Sequence, residues 1–108
     1  MKRGDLFRVC KGDGTDPKSY RVFVVVGRQP AIDSQYSTVV CAPVYSAFHG
    51  LTTQVPINER HGLKQPSSVH CDGLIGIPKS KLTHYVGHLD ADTLQELGRA
   101  LVVALGLG

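Results

Sequence analysis

Residues 20–26 read Tyr20-Arg21-Val22-Phe23-Val24-Val25-Val26, and this stretch decides the fold class. All of its residues except Arg21 are β-branched or aromatic, which is typical of a strand buried on both faces. Other runs with apolar and β-branched residues predict further strands at residues 6–10, 38–42, 52–57, 69–77 and 84–89. We expect Pro43 to end the strand at 38–42, because proline cannot donate to a central ladder. We expect Gly73 or Gly76 to introduce a bulge or a sharp bend in the strand at 69–77.

The end of the chain carries the periodicity of a helix. Apolar residues recur at helical spacing at Leu94, Leu97, Leu101, Val102 and Leu105. Asp90 suits the N-cap, with Leu89 and Leu94 placed as a hydrophobic staple, and Gly106 suits the C-terminal stop. Gly98 is expected to permit close packing on a strand. The strands and this helix together predict a mainly β fold, a small SH3-like barrel of five to six strands with a C-terminal α-helix.

Length and composition limit the class of protein. The chain has 108 residues, which predicts a single domain spanning residues 1–108. Lys and Arg number 12 against 9 Asp and Glu, so the net charge of +3 is compatible with a phosphate-bearing partner. No apolar run is long enough to cross a bilayer, so no membrane association is expected. Three widely spaced cysteines argue against a disulfide framework and favour a reducing, cytoplasmic location.

Three common kinds of site are poorly supported by the sequence. His84 and His88 are the one histidine pair with metal-ligand spacing, and on a strand they lie too far apart to chelate one ion. The lone Gly-x-Gly at residues 12–14 is followed by a proline and a strand rather than the helix of a dinucleotide site. Cys10 and Cys41 are expected in the core, whereas Cys71 is left open because His70 and Asp72 flank it. No metal and no cofactor is predicted.

Arg21 is the most informative polar residue, because it opens the buried strand directly after a loop. An arginine in this position can grip a phosphate with two parallel hydrogen bonds. It can equally cap the rim of the barrel in a salt bridge to Asp5 or Asp16. The residue pattern alone leaves these two interpretations open.

The order of the segments resembles the MazF/PemK-like toxins of bacterial toxin–antitoxin systems. Residues 4–6 (GDL) are similar to the opening strand of that family, and residues 21–26 (RVFVVV) to its RPALVLS strand. Residues 40–46 (VCAPVYS) resemble its V-x-P-I-T-S segment, and residues 71–74 (CDGL) its later x-D-Q segment. The stretch at 77–82 (IPKSKL) and the ending at 89–107 are also similar. The resemblance covers nearly the whole chain.

The resemblance implies a homodimeric toxin that a cognate antitoxin protein inactivates. It also implies a sequence-specific, metal-independent endoribonuclease that cleaves single-stranded RNA. The expected reaction is attack of the ribose 2′-hydroxyl on the adjacent phosphorus, which gives a cyclic phosphate and a 5′-hydroxyl.

The same resemblance assigns catalytic positions. Arg21 takes the position of the catalytic arginine, where we expect it to stabilise charge on the phosphoryl oxygens. Asp16 takes the position of the acidic loop residue and is expected to act as the base or to orient Arg21. Tyr45 stands where the family has its catalytic threonine and Ser46 follows, so either hydroxyl is a candidate to bind the phosphate.

Basic and aromatic residues near these positions are candidate RNA contacts. Lys18 and Lys79 are expected to contribute positive charge, and Phe48 is expected to stack on an unpaired base. Tyr20 can stack in the same way, although packing on the barrel rim is favoured for it. His49 is a nearby imidazole and therefore also a candidate general base.

Two alternatives to ribonuclease activity stay open at this point. The first is a CcdB-like toxin of the same fold that binds DNA gyrase, although such toxins depend on a C-terminal tryptophan and this chain has no tryptophan. The second is a catalytically silent barrel that acts as a binding module. The tyrosine at position 45, in place of the catalytic threonine of the family, is the reason for considering it.

Overall fold

A computed structural model describes residues 1–10 and 20–107 of the chain. These described residues form seven strands: β1 Asp5–Cys10, β2 Tyr20–Val25, β3 Thr38–Tyr45, β4 Gln54–Ile57, β5 Ser67–His70, β6 Ile75–Pro78 and β7 Tyr85–His88. Two α-helices accompany them, α1 Gln29–Asp33 and α2 Ala91–Ala104. Short 3-10 turns occupy Glu59–His61, Cys71–Gly73 and Lys79–Lys81. The predicted fold class, mainly β with a C-terminal helix, is confirmed.

The strands form one curled antiparallel sheet in the order β4-β5-β3-β2-β1-β7, with β6 also paired to β3. β3 is the organising strand because it has three partners. One edge pairs with β2, and the other pairs first with β6 and then, at Val44 and Tyr45, with β5. Within the described residues no pairing joins β4 to β7, so the sheet curls as a half-barrel.

The expected strand at residues 69–77 is two strands, which raises the predicted five to six strands to seven. The turn Cys71–Gly73 separates them and carries the chain past Ala42 and Pro43, the two residues of β3 that pair with neither β5 nor β6. Gly73 lies in this turn, and a Cβ added to it would lie 3.1 Å from the ring of Pro43. At the position where a glycine was predicted to bend one strand, the chain therefore forms two separate strands that pair with different parts of β3.

Pro43 does not end its strand, contrary to expectation, because β3 continues to Tyr45. The proline lies where β3 changes partner from β6 to β5, and neither of these strands is registered opposite it. A residue without an N–H is tolerated at such an interruption of the ladder. A second proline is tolerated in the short helix α1, because Pro30 lies in its first turn.

The sheet buries a core on each face, which explains the uninterrupted apolar run in β2. Val24 packs with Leu6 and with Leu97 of α2 on one face. Val25 packs with Phe7 and Cys41 on the other face. Cys41 and Cys71 are both buried, whereas Cys10 is only half-buried at the end of β1 and so is not the core residue expected.

Helix α2 begins as predicted, because the Asp90 side chain accepts a hydrogen bond from the Thr93 N–H. Gly106 follows its end with a positive φ of 68°. Gly98 does not pack on a strand, however, and a Cβ at this position would meet nothing within 4 Å. The physical reason is that Leu97 faces the core, so the next residue is turned about 100° away. Among the described residues, no helix is long and apolar enough to cross a membrane.

Candidate functional site

Four polar or aromatic side chains lie together where β2 begins and β3 ends, and we call them the Arg21 cluster: Arg21, Tyr45, Ser68 and His70. The Cζ atom of Arg21 lies 4.2 Å from the centre of the Tyr45 ring. The Tyr45 and His70 rings meet edge to face, with centres 4.7 Å apart. The register of β3 and β5 places Tyr45 opposite Ser68. Three adjacent strands therefore fix the cluster on one face of the sheet.

The guanidinium of Arg21 is half-buried and has no anionic partner among the described residues. One of its terminal nitrogens, Nη1, donates to the Val44 carbonyl at 3.3 Å, while the buried Nε has no hydrogen-bond partner. The rim salt bridge to Asp5 does not form, because Asp5 accepts from His88 Nδ1 at 2.7 Å. Two interpretations of Arg21 therefore remain. It binds a phosphate, or it forms a salt bridge to Asp16, which lies outside the described residues.

His70 is a part of the cluster that the sequence did not single out. Ser68 Oγ donates to the Ala47 carbonyl at 2.6 Å, and His70 Nε2 lies 2.9 Å from that Oγ and 3.2 Å from the same carbonyl. Since the Ser68 hydroxyl donates its proton to Ala47, both oxygens that face His70 Nε2 are acceptors. The imidazole proton is therefore assigned to Nε2, and Nδ1 carries the lone pair. The sequence did contain a signal for this pairing, because Ser68 and His70 stand on either side of the apolar Val69 and so share one face of a strand.

The loop after β3 carries Ser46, Phe48 and His49, and side chains of the sheet hold it against the cluster. The Ala47 carbonyl is bound by Ser68 and His70 as described, and the His49 N–H donates to Gln54 Oε1 at 2.8 Å. Ser46 and the half-exposed Phe48 line a cavity of about 460 Å³. Ser46 therefore directly follows Tyr45, and Phe48 and His49 lie farther along the same loop, after the Ala47 carbonyl that Ser68 and His70 bind.

The other predicted contacts are not part of the cluster. Tyr20 lies on the opposite face of the sheet from Arg21, where the Cζ atom of Arg8 is 5.4 Å from its ring centre. Lys79 follows β6, whose Pro78 pairs with Thr38, and its Nζ donates to the Ser34 carbonyl at 2.6 Å. Thr38 and Tyr45 are the two ends of β3, roughly 23 Å apart along the strand. Asp16 and Lys18 lie in residues 11–19, outside the described part of the chain.

Among the described residues the histidines and acidic residues do not assemble into a metal site, and two of the three cysteines are buried. No group of three candidate ligands occurs there. His84 and His88 have separate partners, Arg8 and Asp5. Burial raises the pKa of Cys41 to about 12, and burial together with the nearby Asp72 carboxylate raises that of Cys71 to about 11. Both thiols are therefore protonated at neutral pH and unsuited to nucleophilic attack.

Comparison with known proteins connects this geometry to a family. Residues 2–105 match the family model for the PemK-like, MazF-like toxin of type II toxin–antitoxin systems. Endoribonuclease MazF3 of Mycobacterium tuberculosis is 32% identical over 84 residues, which are 78% of this chain and 82% of that protein. The structure of the M. tuberculosis toxin MazF-mt6 has 28% identity and a TM-score of 0.80, covering 98% of this chain and 99% of its own.

More distant structures share the fold alone. MazF from Deinococcus radiodurans has 19% identity and a TM-score of 0.75, over 99% of this chain and 97% of its own. The half-barrel with its terminal helix is therefore kept at low sequence identity.

Proposed function

The chain belongs to the PemK-like, MazF-like toxins of type II toxin–antitoxin systems, and on that basis we propose that it is a toxin endoribonuclease cleaving single-stranded RNA. The 32% identity to a protein named as the endoribonuclease MazF3 supports the activity. The same matches favour this function over the gyrase-binding toxin that the sequence had left as an alternative.

The uncompensated guanidinium of Arg21 is the observation that carries the proposal. It packs on Tyr45, donates to one carbonyl and leaves a buried Nε–H unpaired, with no carboxylate beside it in the described residues. Unpaired buried donors are costly and uncommon, and a functional site is one of the places where they persist. A phosphodiester supplies both the acceptor oxygens and the negative charge that this arginine lacks.

The neighbours of Arg21 provide the remaining groups that RNA cleavage needs. The ribose 2′-oxygen attacks phosphorus and forms the 2′-O–P bond, while the P–O5′ bond breaks to leave a cyclic phosphate and a 5′-hydroxyl. Arg21 stabilises the charge on the phosphoryl oxygens, and the hydroxyl of Tyr45 or Ser46 donates a hydrogen bond to them. In this scheme the free Nδ1 of His70 accepts the 2′-hydroxyl proton. The 5′-oxygen takes up its proton from water in the open site.

Residues outside the described part of the chain keep their proposed roles. Asp16 remains a candidate to share the role of base or to orient Arg21, and Lys18 remains a candidate phosphate contact. Phe48 is proposed to stack on a base beside the cleaved bond, since it is half-exposed in the loop that follows Tyr45. We leave Lys79 out of the site because of its position at the far end of β3.

The family also supports proposals about partners and location. We propose one domain over residues 1–108, a homodimer in the cytoplasm, and inhibition by a cognate antitoxin. An apolar surface at the end of α2 supports protein contacts there, and its exposed residues are Val102, Val103, Leu105 and Leu107.

Replacing Arg21 tests the proposed site. We expect Arg21→Ala to lower kcat for cleavage of a single-stranded RNA by about 100-fold or more, as loss of a transition-state donor does. Arg21→Lys keeps the charge without the planar fork and is expected to recover only part of the rate. Arg28→Ala removes an exposed arginine near α1 and serves as the matched control. Full activity of a folded Arg21→Ala protein would place the chemistry elsewhere.

A further inference from the structure

A second cavity surrounds Arg8, whose side chain lies on the face of the sheet opposite Arg21. It has a volume of about 500 Å³, and Arg8, Lys64 and His84 contribute to its walls. An adjoining cavity of about 390 Å³ shares Arg8 and His84 and adds Tyr20 and Lys81. We call these five residues the Arg8 cleft.

Among the described residues, the Arg8 cleft carries positive charge and has no acidic side chain in its walls. None of the described residues lining either cavity is an aspartate or a glutamate, whereas Arg8, Lys64 and Lys81 each bring a cation. Neither ion pair found among the described residues involves these three side chains. Such a cleft attracts an anion.

Two uncharged neighbours hold Arg8 in place. Its Nη2 donates to His84 Nε2 at 2.7 Å, which requires a neutral imidazole with its proton on Nδ1. Its Cζ lies 5.4 Å from the ring centre of Tyr20, within the range of a cation–π contact. Both contacts orient the guanidinium without neutralising it, so its other donors keep their capacity for phosphate oxygens.

The position of the cleft favours a polymer over a small anion. Arg8 pairs with Val22, the residue after Arg21, and neighbouring side chains on a strand point to opposite faces. The larger cavity extends to Tyr45, which ends β3 and belongs to the Arg21 cluster, and to Ser46, which follows it. A strand of RNA that crosses the sheet at Ser46 therefore reaches both faces, whereas a free phosphate would occupy only one.

We infer that the Arg8 cleft binds the sugar–phosphate backbone of single-stranded RNA next to the nucleotides held by the Arg21 cluster. The inference rests on the proposed function. In this arrangement Arg8 and Lys81 add affinity for longer RNA and take no part in bond cleavage.

The test measures RNA binding separately from cleavage. The probe is a fluorescent 12-nucleotide RNA made uncleavable with 2′-O-methyl riboses, titrated with the full chain in its native oligomeric state at several salt concentrations. We expect Arg8→Gln to raise Kd about tenfold and to reduce the slope of log K against log salt by about 0.7, the value of one phosphate contact on a single strand. Lys81→Gln gives an independent variant on the surface, and Arg99→Gln on the exposed side of α2 is the matched control with the same change in charge.

The outcomes separate the inference from the proposed function. Unchanged Kd and salt slope in folded Arg8→Gln and Lys81→Gln proteins would overturn the inference. So would complete displacement of the RNA by millimolar inorganic phosphate or AMP, since the cleft would then be a site for small anions. Wild-type protein that binds RNA through Arg8 and never cleaves it would leave the inference standing and contradict the proposed function. With a cleavable RNA, Arg8→Gln is expected to raise KM and leave kcat unchanged.

Discussion

The guanidinium of Arg21 packs on the ring of Tyr45, with 4.2 Å between Cζ and the ring centre. The contact joins the first residues of β2 to the last residue of β3, where the chain leaves the sheet for the loop that carries Ser46 and Phe48. We propose two separable functions for Tyr45. Its ring would orient Arg21, and its hydroxyl would bind a phosphate.

Substitutions of Tyr45 separate these two functions. Tyr45→Phe keeps the ring and the cation–π contact, so we expect RNA binding to be preserved while kcat falls about tenfold through loss of one hydrogen bond. Tyr45→Leu removes the ring as well and is expected to lower kcat further and to raise KM. Single-turnover cleavage assays of the two variants measure the difference. Equal activity of Tyr45→Phe and the wild type would transfer the hydroxyl role to Ser46.

The role of His70 is tested by a substitution that keeps its hydrogen bonds. His70→Gln is expected to retain donation to Ser68 and Ala47 while removing the imidazole that accepts the proton, so kcat falls by a factor of about 100. Added imidazole is expected to restore part of the rate in His70→Ala, where a space is left beside Tyr45. If His70→Gln cleaves RNA like the wild type, His70 serves only to hold the loop at Ala47.

The acid stability of helix α2 depends on Asp90. Hydrogen bonds from the Thr93 hydroxyl and from His61 lower the pKa of the Asp90 carboxyl well below its usual range. A lowered folded-state pKa means stabilisation that is present above about pH 4 and is lost as the pH falls. Asp90→Asn keeps an N-cap that does not titrate. We expect the wild type to be more stable than this variant near pH 7, and the difference in unfolding free energy to shrink between pH 4 and 2.

Chemical denaturation of both proteins across that pH range measures the difference. A gap between wild type and Asp90→Asn that is constant from pH 7 to 2 would show that the carboxylate charge contributes nothing.

Two glycines are expected to respond to alanine in opposite directions. A Cβ at Gly98 meets nothing within 4 Å, so Gly98→Ala should stabilise α2 by about 0.7 kcal/mol and raise Tm by about 4 °C. A Cβ at Gly87 would overlap the backbone carbonyl of His61, so Gly87→Ala should destabilise the protein by about 2 kcal/mol. Thermal unfolding of both variants checks the pair. A lower Tm for Gly98→Ala would indicate that another surface covers this position of the helix.

Local chemistry made much of the fold predictable. The apolar run in residues 20–26 and the capped periodicity after Asp90 depend on neighbours in sequence, and both elements appear where they were expected. The partner change at Pro43 and the turn at Cys71–Gly73 depend on how β3 divides its edge between two strands, which no local pattern encodes. His70 was missed for the same reason, because only the β3–β5 register brings it to Tyr45.

The most direct test of the account is to incubate the purified protein in EDTA with a long unstructured RNA and to determine the chemistry of any new ends. We predict discrete cuts that leave a 2′,3′-cyclic phosphate and a 5′-hydroxyl, lost when the ribose at the cut site is 2′-deoxy. An intact RNA after incubation with folded protein, or fragments with 5′-phosphate ends, would contradict 2′-hydroxyl attack at the Arg21 cluster.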